Sequence, residues 1–446
     1  MTLNFRKLSI LLLFLPILTF AQHTIKATFS PAKDFTWAIL YKNEPTNVKY
    51  IAQAKVENGT AIFNLDEKAT SGVYKLVYAV PQKDNNFDII YNGKEDIELS
   101  FSTTDSAVFQ KSSDNILLNT YLNKALKLGE ELETAYTKPR IISSEVTAIY
   151  KKQEELQTEY EGKSEGKIVQ NFIKANKPYI PQNYETPKVY VSNLSKNYFT
   201  NIDFKNPILQ SSNFLTEKSL AYILGVDSDP SSKHNSYIKN IDAIAVKVKQ
   251  TDSKFQKSFL DKLWEKLVSY DLIESANYLA EWYLIPVASQ QNDPRLVAKL
   301  NKFKNLSIGS VAPDFTWDSI ENGVSKTNKL SELSISENYI LVFWSSTCSH
   351  CLKQIPQLQQ FVKTLNSIKY KVVAIGLEDE PTNWQKETEK YPEFLNIIKL
   401  KKWDSKVVLD YGLSSTPTYF VLDKDKKFLA KPENLEALEA YLKENN

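Results

Sequence analysis

The sequence predicts a multi-domain chain: an N-terminal β-rich, sandwich-like domain, a mostly α-helical middle domain and a C-terminal α/β domain. Three observations carry this reading. Residues 23 to about 105 contain runs that alternate apolar and polar with a period of two. From about 112 to 305 the apolar period lengthens to three or four. From about 306 onward, apolar strand-like runs alternate with amphipathic helical stretches. A length of 446 residues agrees with two to four domains. Hydrophobic content of 42% and charged content of 24% are those of a folded globular protein, which excludes a disordered chain.

The N-terminus comes first. Arg6 and Lys7 form a positive n-region, Leu8 to Phe20 a mostly apolar stretch of 13 residues, and Thr19-Phe20-Ala21 a small-residue cleavage site. Thirteen residues fall short of the roughly 20 needed to span a bilayer, so residues 1–21 are expected to be a cleaved secretory signal. No other segment is apolar enough to span. Cleavage removes two cations and no acids, leaving 53 Lys+Arg against 53 Asp+Glu. A neutral chain argues against a nucleic-acid or anionic-membrane partner. Only Arg140 and Arg295 remain as arginines, so bidentate phosphate clamps are not expected.

In the β-rich part (22–105), Tyr74 to Tyr78 and Ile97 to Phe101 show the strand alternation. Asn58-Gly59 and Asn92-Gly93 read as hairpin-type turns. In the helical part (106–305), Leu118, Tyr121, Leu122, Ala125 and Leu128 fall on one face. So do Phe255, Phe259, Leu260, Leu263, Trp264 and Leu267. Pro178 and Pro181 punctuate this region, and no catalytic constellation stands in it.

The C-terminal part (306–446) begins its regular pattern with a strand at Tyr339–Trp344. A helix over 349–366 comes next, with Leu352, Ile355, Leu358, Phe361, Val362 and Leu365 on one face. Then come a strand at 371–376, a helix near 382–391, a hairpin of Thr418–Leu422 with Phe428–Ala430, and a closing helix at Leu435–Lys443. This order fits a mixed sheet with helices on both faces.

The chemistry sits between the first strand and helix of that part, at Cys348-Ser349-His350-Cys351. These are the chain's two cysteines. A zinc site needs two further ligands, which one nearby histidine and no other cysteine do not supply. A disulfide across two residues closes almost no loop, so a structural staple is excluded in what is otherwise an export context. The pair therefore reads as a redox dithiol. Cys348, at the helix N-terminus, is the expected nucleophile, because that end favours a thiolate. Cys351, one turn later and more buried, is the expected resolving cysteine. His350, if protonated, would stabilise the Cys348 thiolate further. Thr416-Pro417 precedes a strand, as a proline facing a dithiol does, and Pro356 reads as a helix kink. Thr416, Pro417 and Trp344 are assigned to the substrate-binding surface. No metal and no cofactor is expected beyond the redox-active Cys348–Cys351 pair itself.

Several stretches, taken in order, resemble the exported TlpA/ResA-type thioredoxins. They are Ile308-Gly-Ser-Val-Ala-Pro-Asp-Phe-Thr-Trp317, Leu330 to Leu333, Val342 to Cys351, Ile375 to Asp379, Trp403 to Ser405 and Ser414 to Asp423. The resemblance covers about 306–446. It implies a thioredoxin fold, a cis peptide before Pro417, a kink at Pro356 and thiol–disulfide exchange with exported cysteine-containing proteins in the periplasm or beyond it. The preceding segment is similar to β-rich modules that often accompany such domains.

The chain departs from the family at three positions. Thr347 stands where a tryptophan is common. Gln354 replaces the glutamate of many reductive members, and Val342 replaces the buried acid of ordinary thioredoxins. The Ser349-His350 pair is similar instead to the Pro-His pair of DsbA-type oxidases. The expectation is therefore a moderately oxidising or isomerising pair with a depressed Cys348 pKa. A peroxidase is disfavoured: Leu341 and Ser345 occupy the positions of its proline and threonine, and no arginine follows Arg295. The alternative reading is an interaction protein in which residues 22–305 recognise a partner and the dithiol is secondary. Because residues 22–305 lack cysteine, a separate molecule must recycle the pair.

Overall fold

The structure is a computed structural model that describes residues 23–225, 233–321, 323–365 and 369–445. The expected signal segment 1–21 lies outside the described residues, as does residue 366 of the expected active-site helix. The chain divides into two compact units, Met1–Tyr270 and Asp271–Asn446.

The first unit opens with β1 (Thr24–Ser30), β2 (Trp37–Asn43), β3 (Val48–Lys55), β4 (Thr60–Asn64), β5 (Gly72–Val77), β6 (Asn86–Tyr91), β7 (Ile97–Ser102) and β8 (Val108–Lys111). They form two four-stranded sheets, ordered β4-β1-β7-β8 and β3-β2-β5-β6. Alternate residues of both sheets face one core: Ile25, Ala27 and Phe29 of β1 and Ile97, Leu99 and Phe101 of β7 meet Leu40, Tyr74, Leu76 and Ile89 from the other sheet. Period-two patterning thus becomes a sandwich. Asn58-Gly59 is a tight two-residue turn with both φ positive, and Glu57 and Thr60 exchange both backbone hydrogen bonds at 2.9 Å. A Cβ on Gly59 would lie 2.8 Å from Cβ of Ala32, so glycine is required there. Asn92-Gly93 is not a hairpin. β6 pairs with β5 and β7 with β1 and β8, so this turn carries the chain from one sheet to the other. Asn92 spends its side chain on Glu95 and on the Lys94 amide rather than on a ladder.

The helices of this unit are α1 (Ser113–Thr137), α2 (Ser143–Lys163), α3 (Gln170–Ala175), α4 (Pro187–Asn197), α5 (Pro207–Gln210), α6 (Phe214–Gly225), α7 (Lys233–Val248) and α8 (Ser253–Ser269). The whole expected apolar face of α8 is buried. The face of α1 is not. Tyr121 is buried, but Ala125 and Leu128 are half-covered and Leu122 is exposed. Polar ties join helices to sheet: Asn115 bonds both the N–H and the C=O of Ile90, and the Asn213 backbone amide donates to half-buried Asp88 at 2.6 Å.

The second unit begins with α9 (Ile273–Leu279), α10 (Ile285–Gln290) and α11 (Pro294–Asn305), so the helical stretch expected over 106–305 is shared between units. A hairpin of β9 (Thr316–Glu321) and β10 (Val324–Lys329) comes after them. The central sheet holds β11 (Asn338–Trp344), β12 (Tyr370–Glu378), β13 (Leu395–Leu400), β14 (Thr418–Leu422) and β15 (Phe428–Ala430) in the order β13-β12-β11-β14-β15. β11, β12 and β13 run parallel, and β14 and β15 are antiparallel to their neighbours. The accompanying helices are α12 (Ser349–Val362), α13 (Thr382–Thr388), α14 (Lys406–Tyr411) and α15 (Leu435–Glu444).

β11 explains why this sheet is covered on both faces. Each residue from Tyr339 to Trp344 is fully buried. Ile340, Val342 and Trp344 pack with Cys351, Ile355 and Leu358 of α12 and Leu438 of α15. Tyr339, Leu341 and Phe343 pack on the other face with Phe315 and with Val407, Val408 and Tyr411 of α14. A continuous apolar run is the signature of a strand buried on both sides. Each such side chain contributes about 1.5–3 kcal/mol of burial, which makes β11 a rigid base for the turn at its C-terminal end.

Candidate active site

β11 ends at Trp344, and the chain turns through Ser345, Ser346 and Thr347 before α12 begins. Cys348 is the N-cap of α12, in extended conformation, and its sulfur accepts the backbone N–H of Cys351 at 3.4 Å. A capping position aims the side chain at the free amides of the first turn. Here the capping atom is a nucleophile. On its other side, Sγ of Cys348 lies 3.5 Å from the carbonyl oxygen of Thr416. The Thr416–Pro417 peptide is cis, and both residues are half-buried at the head of β14. The antiparallel register of β14 on β11 sets this placement: Thr418 opposite Phe343 brings the segment preceding β14 beside the turn after β11.

Both cysteines are free thiols; Cys348 is partly exposed and Cys351 wholly buried. Burial favours the neutral Cys348 thiol. Hydrogen bonds from Cys351, side chain and amide, from the Thr416 side chain and from the His350 amide outweigh it, and the thiol is held below its usual value. Cys351 goes the other way. Burial, then its hydrogen bond to the Cys348 sulfur, pushes it up to about 12. One sulfur is prepared as thiolate and the other is kept protonated until needed.

The remaining expected residues divide. His350 contributes through its backbone amide, while its imidazole is exposed to solvent. Trp344 is fully buried and packs edge-on against Tyr391. Strand alternation points it into the α12 face, so its indole belongs to the core and not to the substrate surface. Leu352, expected on the buried face of α12, is instead exposed next to the dithiol. Pro356 stands inside α12. Gln354 accepts a hydrogen bond from the Tyr419 hydroxyl at 2.9 Å, and burial, with Cys351 nearby, holds that hydroxyl protonated.

One residue escaped the sequence reading. Glu378, the last residue of β12, is 2% exposed. Its carboxylate accepts the Ser346 N–H at 2.5 Å and the Ser345 hydroxyl at 3.3 Å. Ser345 continues to the Thr347 hydroxyl at 3.0 Å, which Lys402 reaches at 3.4 Å. Among the described residues Glu378 forms no salt bridge; Lys402 pairs with Asp379. A buried charge is retained only when its hydrogen bonds are good, and these bonds fix the turn that presents Cys348. The available signal is the first acid of Glu378-Asp379-Glu380, which closes the apolar strand Ala374-Ile-Gly-Leu-Glu378. Gly376 on the same strand has a steric reason: a Cβ there would lie 2.3 Å from the Trp384 ring.

Among the described residues, no group of three or more His, Cys, Asp or Glu side chains gathers as a metal site, and no helix is long and apolar enough to cross a membrane.

Residues 308–430 match the AhpC/TSA family. The thiol-disulfide oxidoreductase ResA of Bacillus thuringiensis (strain Al Hakam) is 24% identical over 143 residues, covering 31% of this chain and 79% of that protein. ResA of Bacillus anthracis is likewise 24% identical over 143 residues, with the same coverage. Among solved structures, a domain of a possible thiol-disulfide isomerase from Cytophaga hutchinsonii is 27% identical. It covers 31% of this chain and 93% of its own, with a TM-score of 0.27. A thioredoxin-like protein from Bacteroides caccae is 23% identical and covers 60% of this chain and 98% of its own, with a TM-score of 0.30. The C-terminal third thus carries an AhpC/TSA thioredoxin-like domain, with thiol-disulfide oxidoreductases of the ResA kind among its relatives.

Proposed function

We propose that the chain is an extracytoplasmic thiol-disulfide oxidoreductase, with Cys348 as nucleophile and Cys351 as resolving thiol, acting on exported cysteine-containing proteins. The observation that carries this is the unequal treatment of two sulfurs in one turn of α12: one capped by amides beside the Thr416 carbonyl, the other buried. In the reductive direction the Cys348 thiolate attacks one sulfur of a client disulfide. That S–S bond breaks, a mixed disulfide forms, and the client thiolate leaves and takes a proton. Cys351 then loses its proton and attacks Cys348, releasing the second client thiol. The client gains two electrons, and Cys348–Cys351 becomes the disulfide. The oxidative direction is the reverse, and a separate dithiol or disulfide protein resets the pair. The charge and polarity of residues 1–21 support export.

Thr416 and Pro417 supply the docking edge. The exposed Leu352, next to Cys351 in sequence, offers apolar contact to an extended client segment. Stabilising the thiolate stabilises the reduced form, which makes the disulfide form the better oxidant. The test is trapping. In a Cys351→Ser variant the mixed disulfide has no resolving thiol, so envelope proteins should accumulate covalently on Cys348 and be released by reductant. If Cys351→Ser collects no more reductant-sensitive adducts than Cys348→Ser does, the function is wrong.

A further inference from the structure

We propose that the first unit holds a second, non-redox site, which binds a small, flat, non-anionic and mainly apolar molecule carrying one N–H or O–H donor. The site is a cavity of about 380 Å³ walled by α1, α2 and the segment 176–191. That volume lies in the range of small-ligand pockets. Its walls are tyrosine rings and leucines. Tyr136 and Tyr190 both line it and pack on each other, ring centroids 5.4 Å apart with tilted planes, as part of an aromatic wall.

Two features of the cavity are unexplained by the fold itself. Gly129 lies within α1 on the cavity wall, and a Cβ there would meet nothing within 4 Å. Glycine inside a helix is destabilising relative to alanine. No close approach and no positive φ calls for it here, so what it contributes is room. The second is Gln153 on α2. This residue lines the cavity and is 7% exposed, and its Oε1 has no hydrogen-bond partner among the described residues. A buried acceptor without a donor is costly, and a donor on the guest would meet it. Two neighbouring polar side chains are already engaged. Gln157 accepts from Tyr121 at 2.7 Å and donates to Glu161 and Ile173, and the Tyr136 hydroxyl donates to the Glu185 carbonyl at 3.0 Å. Gln153 supplies a buried acceptor without a partner, which would orient the guest. The lining contains Glu133 and neither lysine nor arginine, so it disfavours an anion.

The experiment uses N-phenyl-1-naphthylamine, a neutral aromatic amine with a single N–H whose fluorescence rises on leaving water, titrated into the full chain. Saturable enhancement at one site is expected. Gly129→Leu fills the cavity and should abolish it while the helix melts no earlier. Gln153→Leu should weaken it about three- to tenfold, the loss of one hydrogen bond. If Gly129→Leu fails to fold by circular dichroism, Gly129→Ala and Gln153→Leu carry the test. No saturable enhancement in the parent protein overturns the proposal. So does the same affinity in folded Gly129→Leu, or an affinity unmoved by Gln153→Leu.

Discussion

Glu378 gives the most instructive perturbation, because it acts on the dithiol without touching it. In Glu378→Leu the buried Ser346 N–H loses its acceptor, and the Ser345 hydroxyl loses a second bond. An orphaned buried donor costs about 1–3 kcal/mol, and the bond lost is charge-assisted, among the stronger kind. Removing the carboxylate also relieves its own burial, which caps the net loss at about 2–3 kcal/mol. Glu378→Gln keeps an acceptor for Ser346 and should cost about 1 kcal/mol. Thermal melts read these losses as a fall of about 4–12 °C for leucine and about 2–4 °C for glutamine. A structural role alone would end there. If the Ser345–Thr347 turn sets the Cys348 sulfur against its amides, leucine must also raise the Cys348 pKa toward the ordinary 9.0. Glutamine should largely restore it. Iodoacetamide rates measured against pH report this. A leucine variant that melts early but alkylates with the parent profile would refute the positioning argument.

Other predictions rest on the same geometry. His350→Ala should leave the Cys348 alkylation midpoint in place, because the amide and not the ring supports the sulfur; an upward shift would return the imidazole to the mechanism. Gly376→Ala should destabilise the protein by about 1–3 kcal/mol, since the new methyl meets Trp384 at 2.3 Å; an unchanged denaturation midpoint would contradict this. The two thiols impose opposite pH dependences on the stability of the reduced protein. The depressed Cys348 pKa contributes stability above 9.0 that is lost as pH falls through the folded-state value. The raised Cys351 pKa contributes stability below 9.0 that is lost as pH rises from there to about 12. Urea midpoints of the reduced parent protein should therefore fall over that alkaline window, and Cys351→Ser should flatten the fall.

Local signals in the sequence were read most directly where one segment decides the outcome. The apolar run of β11, the dithiol at a strand-to-helix junction, the Thr418–Leu422 and Phe428–Ala430 hairpin and the apolar face of α8 all depend on neighbours in sequence, and the structure shows them at or near the expected positions. The features that stayed hidden depend on distance. Trp344 is expected on the substrate-binding surface, but strand alternation turns its ring inward. Glu378 meets Ser346 across 32 residues, through the parallel pairing of β11 with β12. The Asn92-Gly93 turn has hairpin residues, yet β7 leaves to pair in parallel with β1, a partner at the other end of the sandwich sequence. The β9–β10 hairpin has little signature in the sequence, because β10 is mostly exposed and polar and burial leaves little alternation in it.

The idea that matters most is that the Cys351 thiol, together with the backbone amides at the start of α12, holds the Cys348 pKa down while Cys351 itself is pushed up. Alkylation of the reduced protein across pH, with mass spectrometry to locate the label, tests it in a single titration. Labelling should fall on Cys348 with a midpoint below 9.0, and Cys351 should stay unlabelled until strongly alkaline pH. Equal labelling of both cysteines, or a Cys348 midpoint at or above 9.0, would contradict it.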